Sequence, residues 1–287
     1  MVTPEQLASR LKAKTLPSLP LTVVALGEAV QDDRCTVDRI LGILSKDPSL
    51  SATLLRLANS ALYAGSDSVM DLRTALLRLG FDAVANLGTG AAVIRTLKGG
   101  THLDALKLWQ HSVAVGLTAK GVCILAKRHG QAETAFLCGL LHDIGKVALD
   151  TCFPEAYAEV LRKVADGAFF VDAEREVLGM NHAEAGALLA ADWSFPESIV
   201  EVIRDHHDPK PEDFLPNLIH LADLLVRTRI PMGPADERLM ISLDELPAFK
   251  AVLAGALHKD LDVERMTFSI DDEVDHALAF VEVAFQA

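Results

Sequence analysis

Apolar residues recur at the spacing of an α-helix along nearly the whole chain, and no stretch alternates apolar with polar for long enough to demand a sheet. Val37, Ile40, Leu41 and Leu44 follow the i, i+3, i+4, i+7 stripe; Leu50, Leu54, Leu57 and Ala61 repeat it, as do Leu72, Ala75, Leu76 and Leu79. The punctuation agrees. Thr3, Pro4 and Gln6 read as an N-cap, a proline at the first helical position and a capping-box partner. Thr36 caps the second stripe, Asp47-Pro48 opens the third, Gly80 tolerates the left-handed conformation past a helix end, and Asp82 can cap the next helix. Half of the 287 residues are hydrophobic but only 5% are aromatic, which suits a large helical core better than a sandwich or barrel. The expected fold class is all-α.

Further helices are expected over 106–128, 132–149, 154–166, 172–190, 196–206 and 218–229, then a loop around Pro231, Gly233 and Pro234 and a tail of two or three helices. Lys98-Gly99-Gly100-Thr101 is the clearest linker signal. It divides the chain into an amino-terminal lobe, 1–98, a second lobe, 101–230, and an extension, 231–287.

Net charge is −13, and it is unevenly spread: residues 1–98 carry 11 Lys+Arg against 9 Asp+Glu, the remainder 16 against 31. Phosphate-backbone binding needs a basic stripe that displaces counterions, so nucleic acid is an unsuitable partner. A helix-turn-helix reading of the segments around 36–61 fails on the same ground, because Arg56 is the only cation on the helix that would enter the groove. Cys35, Cys123, Cys138 and Cys152 form no CxxC pair, and three of them sit in apolar helical runs where a free thiol behaves as a small hydrophobe. Met1 to Glu5 does not begin a basic-then-apolar leader, and Lys120 interrupts the apolar run 113–126. A cytoplasmic protein without membrane attachment is expected.

Chemistry concentrates in the second lobe, where His111, His142, Asp143, His182, His206, His207, His220 and Asp223 stand on different expected helices. Imidazole and carboxylate hold divalent first-row metals, and an all-α core can assemble such a site from several helices. His142-Asp143 closes the apolar run Phe136-Leu137-Cys138-Gly139-Leu140-Leu141, where an ionisable pair would be costly to bury without a partner. A metal would offset that cost.

Leu140 to Lys146 resembles the HD motif of the HD superfamily of metal-dependent phosphohydrolases. Leu108-Trp109-Gln110-His111-Ser112 is similar to that family's upstream histidine segment, and His220-Leu221-Ala222-Asp223 to its closing aspartate helix. More specifically, the chain resembles HDOD proteins, HD-related output domains of bacterial signal transduction. The matching stretches are 45–50, 57–61, 75–80, 139–146 and His182 through Trp193 to Pro196. The resemblance covers about residues 15–230 and implies a two-lobed helical HDOD fold, the amino-terminal lobe packed on an HD-type lobe.

Carried across residue by residue, the resemblance implies metal ligands at His111, His142, Asp143 and Asp223, with His182, His206 and His207 where binuclear HD-GYP phosphodiesterases place further ligands. It implies one or two ions of Fe, Mn, Ni or Zn type, which activate water for attack on a phosphoester. Lys146 matches a lysine that can contact substrate phosphate, so Lys146 and Asp143 are the candidate catalytic residues. Asp208-Pro209-Lys210-Pro211 follows the histidine pair where the cyclic-dinucleotide enzymes carry Gly-Tyr-Pro, which puts that substrate class in question. His220 reads as a residue supporting the ligands, and His102, His129, His258 and His276 as surface residues. Two functions stay open: a signalling module that works through a regulatory protein partner while keeping a metal site, and a metal-dependent phosphohydrolase.

Overall fold

The computed structural model describes residues 3, 5–6, 9–10, 16–60, 63, 68–97, 99–236, 240, 242–256 and 263–285. Pro4, Ala61, Leu62, Lys98 and His258 lie outside the described residues. All regular structure among those described is helical, with no strand. No helix among them is long and apolar enough to cross a membrane. The chain divides into two compact units, Ser18–Lys98 with Asp275–Ala287, and Met1–Pro17 with Gly99–Val274.

The first of these units contains α1 (Leu21–Val30), α2 (Val37–Leu44), α3 (Pro48–Ala58), α4 (Leu72–Leu79) and α5 (Phe81–Thr96). Local chemistry sets the helix starts. Thr36 accepts the Arg39 N–H at 3.3 Å, Asp47 that of Leu50 at 2.9 Å and Asp71 that of Thr74 at 2.9 Å. Gly80 has φ +87° and serves as both the end of α4 and the cap of α5, so Asp82 lies in the first turn of α5 instead of capping it. Asn59 closes the end of α3: its amide donates to Leu55 O and Val69 O, and its carbonyl accepts from the Val69 N–H. Behind that clasp Ala58, Val69 and Ala75 form a small buried cluster.

The second unit opens on a capping box, Thr3 N–H to Gln6 Oε1 at 2.9 Å and Gln6 N–H to Thr3 Oγ1 at 3.2 Å. It then contains α6 (Ala105–Leu125), α7 (Ala132–Leu141), α8 (Ile144–Cys152), α9 (Pro154–Ala165), α10 (Phe170–Leu178), α11 (His182–Asp192), α12 (Glu197–Asp205), α13 (Phe214–Arg227) and α14 (Pro247–Gly255). A last helix, α15 (Val263–Phe285), runs from this unit into the other. The core buries Trp109, Phe136, Leu140 and Leu141, each contributing roughly 1.5–3 kcal/mol relative to exposure. Cys123, Cys138 and Cys152 are buried free thiols, and burial pushes the Cys138 thiol up to about 12.

Two expected helices are each divided. The span 132–149 breaks at His142-Asp143, which join the end of α7 to the start of α8. His142 Nδ1 donates to the Gly139 carbonyl at 2.6 Å, occupying an acceptor of the last turn. The span 172–190 breaks at 179–181: Gly179 ends α10 in the left-handed region at φ +82°, and Asn181 starts α11 with a reciprocal capping box to Glu184. Both breaks put a histidine at a helix terminus, where its ring can turn inward.

Close helix contacts then bring those termini together. A Cβ on Gly139 would stand 2.6 Å from Gly116 Cα, so α6 and α7 touch backbone to backbone. Asp150 fixes the approach to α6, accepting the N–H groups of His102 and Leu103 at 2.8 and 2.9 Å.

Candidate metal centre

Five structural positions converge. His111 comes from the middle of α6, His142 and Asp143 from the α7–α8 junction, His182 from the first turn of α11, His206 and His207 from the end of α12, and Asp223 from α13. His111, His142, Asp143, His182, His206 and Asp223 are all buried, and His207 is half-buried.

Two groups form. His111, His142 and Asp143 offer ligand atoms within 4.8 Å of one another, as do His182, His206 and His207. Asp143 touches both groups: Oδ1 lies 3.0 Å from His182 Nε2, while Oδ2 lies 3.4 Å from His142 Nε2 and 3.9 Å from His111 Nε2. Asp223 Oδ1 adds to the first group, 3.0 Å from His111 Nε2 and 3.9 Å from His142 Nε2. His182 Nε2 and His207 Nε2 face each other at 2.7 Å.

The opposite ring nitrogens are already committed. His142 Nδ1 bonds the Gly139 carbonyl and His206 Nδ1 the Ile203 carbonyl at 2.7 Å, which leaves each Nε2 buried without a hydrogen-bond partner. His111 Nδ1 lacks a hydrogen-bond partner too, while its Nε2 meets only Asp223 and Asp143. A buried polar atom in that condition costs about 1–3 kcal/mol. Five imidazole Nε2 atoms and two carboxylates aimed at one another are the donor set of a divalent first-row ion, and it is this inward-facing set, with orphaned ring nitrogens on His111, His142 and His206, that fits the metal.

Electrostatics point the same way. Burial dominates at His142, His206 and His207 and lowers all three, the last two well below the usual imidazole range. Neutral rings are the ligating form; His182 differs, because burial lowers its pKa but Glu174 outweighs burial and raises it. Burial pushes the Asp143 carboxyl up, but neighbouring His142, Lys146 and His182 outweigh it and hold it well below the carboxylate range. Asp223 is held low against burial by Arg227 and His111.

Lys146 Nζ donates to Asp143 Oδ2 at 2.6 Å. His220 is not a ligand in this arrangement: its Nδ1 donates to the main-chain carbonyl of His206 at 2.7 Å and holds the His206-His207 turn. His102 and His129 are exposed, whereas His276 is half-buried.

Four residues of the site have no signal in the sequence. Glu174, fully buried, accepts both the Nδ1–H of His182 at 2.6 Å and its main-chain N–H at 2.8 Å, while Tyr157 donates its hydroxyl to the other carboxylate oxygen at 3.0 Å. Arg227 approaches Asp223 Oδ2 at 3.5 Å and is clamped by Asp236, whose second oxygen accepts the Met232 N–H at 2.8 Å. Beside the cluster lies a cavity of about 270 Å³ bordered by His182, His207, Asp223, Lys146, Arg227, Phe169 and Phe170.

The sequence pattern of the HDOD domain matches residues 16–209. An uncharacterized protein of Treponema pallidum is 28% identical over 225 residues, 74% of this chain; the match spans only 42% of that relative. Among solved structures, an HDOD domain protein of unknown function from Geobacter sulfurreducens is 25% identical with a TM-score of 0.84, covering 98% of both chains. A Shewanella amazonensis protein proposed as a phosphohydrolase is 28% identical, with a TM-score of 0.76 over 97% of both. A Marinobacter aquaeolei protein proposed to act in signal transduction is 26% identical, with a TM-score of 0.73 over 96% of this chain and 62% of that one.

Proposed function

The chain belongs to the HDOD domain family, and from that premise we propose that it is a divalent-metal-binding member whose centre hydrolyses a phosphate ester. One observation carries the reading: buried imidazole nitrogens without partners and two depressed carboxylates converge beside a cavity bordered by two cations. His111, His142, Asp143 and Asp223 would hold one ion; His182, His206 and His207, with Asp143 between the groups, would hold a second, of Fe, Mn, Ni or Zn type. Such an ion supplies Lewis acidity and lowers the pKa of water.

The chain's own residues supply the rest. Lys146, held by Asp143, and Arg227, held by Asp236, border the cavity where non-bridging phosphate oxygens would lie, and fixed cations there stabilise charge that develops on phosphorus. Glu174 keeps the proton of His182 on Nδ1, so that Nε2 faces His207 and Asp143 in the position a ligand would need. Burial of the cluster excludes bulk water and strengthens these interactions. The Shewanella protein proposed as a phosphohydrolase supports this reading.

A second reading is a signalling module that acts through a regulatory protein partner and uses the metal structurally. It is favoured by the Marinobacter relative proposed for signal transduction, whose chain extends well beyond the matched part. A cytoplasmic setting, where thiols stay reduced, suits the buried unpaired cysteines. The two readings separate on turnover of a generic aryl phosphodiester by protein reconstituted with Mn or Fe. Hydrolysis abolished by His142→Ala or Asp143→Ala supports the enzyme; fully metal-loaded protein without turnover leaves the module.

A further inference from the structure

The cavity beside the cluster has a composition that the metal centre does not require. Its lining combines candidate ligands, His182, His207 and Asp223, with two phenylalanines, Phe169 and Phe170. Lys146 Nζ lies 4.6 Å from the Phe170 ring centroid and the Arg227 guanidinium carbon 5.5 Å from that of Phe169. Each cation therefore stands between a carboxylate and an aromatic face. Phe169 is 41% exposed, an apolar ring left in water at the cavity edge. Gly167, at φ +100°, turns the chain just before it, and α10 starts immediately after, so the ring sits on a fixed corner.

Charge adds a condition. Lys146 and Arg227 face three carboxylates, Asp143, Asp223 and Asp236, so an anion meets net negative charge unless divalent metal is present. Size adds another. At about 270 Å³ the cavity is at the small end of ligand sites, which span roughly 300–1,000 Å³. One ring, one sugar-sized spacer and one phosphate are of about this size.

Resting on the metal-centre reading above, we infer that this cavity selects a phosphate ester bearing a single planar ring, of mononucleotide size, with the phosphate toward Lys146 and Arg227 and the ring against Phe169. A cyclic dinucleotide, with two such units, is the competitor that tests this size preference. Phe169 is the specificity residue, since a ring stacked on an aromatic face gains affinity that a bare phosphate does not.

The test is equilibrium dialysis of Mn-loaded and metal-free protein with AMP, ribose 5-phosphate, inorganic phosphate and cyclic di-GMP, with released adenosine quantified in the same samples. Metal-loaded protein is expected to bind AMP about tenfold more tightly than ribose 5-phosphate, and metal-free protein to bind neither. Phe169→Ala, a substitution at an exposed ring, removes the AMP advantage and leaves inorganic phosphate binding unchanged. Equal binding of AMP and ribose 5-phosphate, an AMP advantage that survives Phe169→Ala, or displacement of AMP by stoichiometric cyclic di-GMP overturns the inference. Ring-selective binding without released adenosine, in protein that also fails on the aryl phosphodiester, keeps the inference and removes the hydrolase; turnover without ring selectivity does the reverse.

Discussion

Gly145 and His182 are in backbone contact: a Cβ added at Gly145 would stand 1.9 Å from the His182 carbonyl oxygen and 2.5 Å from the Gly186 nitrogen. The glycine two residues after Asp143 is thus what lets α8 reach α11 closely enough for Asp143 Oδ1 to lie 3.0 Å from His182 Nε2. The His/Asp cluster depends on this crossing as much as on its own side chains.

Gly145→Ala forces the two helices apart. Overpacking of this kind costs about 1–3 kcal/mol, which at roughly 2–4 °C per kcal/mol lowers Tm by about 2–12 °C. Thermal unfolding of metal-free protein measures it, and metal uptake falls with it because Asp143 and His182 separate. An unchanged Tm with full metal uptake would show that the contact is slack.

Glu174→Gln keeps the shape of the buried side chain and removes its charge. The amide no longer holds the His182 proton on Nδ1 with a charge-assisted bond, and Gln can present its NH₂ to that nitrogen instead. Metal affinity measured by chelator competition drops about 10–100-fold, the range for such supporting carboxylates. Tyr157→Phe, which removes only the hydroxyl on the far oxygen, has a smaller effect. Equal affinity in the wild-type and Gln proteins contradicts the role given to Glu174.

Metal-free protein loses stability between about pH 7 and pH 5. His142, His206 and His207 have pKa values lowered on folding, so in that window the unfolded chain binds more protons than the native one, and stability rises with pH. His182 opposes them: burial lowers its pKa, but Glu174 outweighs burial and raises it, so its contribution grows as pH falls. Three groups against one set the sign. Tm measured from pH 7.5 to 5.5 falls; a flat or rising Tm contradicts the neutral, buried state of the cluster.

Much of this was legible in the sequence, for local reasons. Caps such as Thr36 and Asp47 depend on residues three apart, and the ligand set stands out because His and Asp at apolar positions are costly. The seven residues His111, His142, Asp143, His182, His206, His207 and Asp223 do come together, although nothing local says that Asp143 would face both groups. The break at 179–181 has a sequence signal, Gly179 followed by the capping box Asn181 to Glu184, which a continuous apolar stripe outweighs. Glu174, Tyr157, Arg227 and Asp236 were not legible. Their importance comes from burial and, apart from the i,i+4 pair Asp223–Arg227, from side-chain partners eight or more residues away, and on a helix surface the same residues would read as ordinary polar positions.

The central claim is that buried Nε2 atoms and carboxylates of this cluster hold divalent metal. Its most direct test is metal content by mass spectrometry after reconstitution with Mn, Fe, Ni or Zn and removal of unbound ion, comparing wild type with Asp143→Asn. The account predicts one to two equivalents in the wild type, and a clear loss in the variant at unchanged helical content. Wild-type protein that retains no divalent ion above background, while remaining folded, would contradict it.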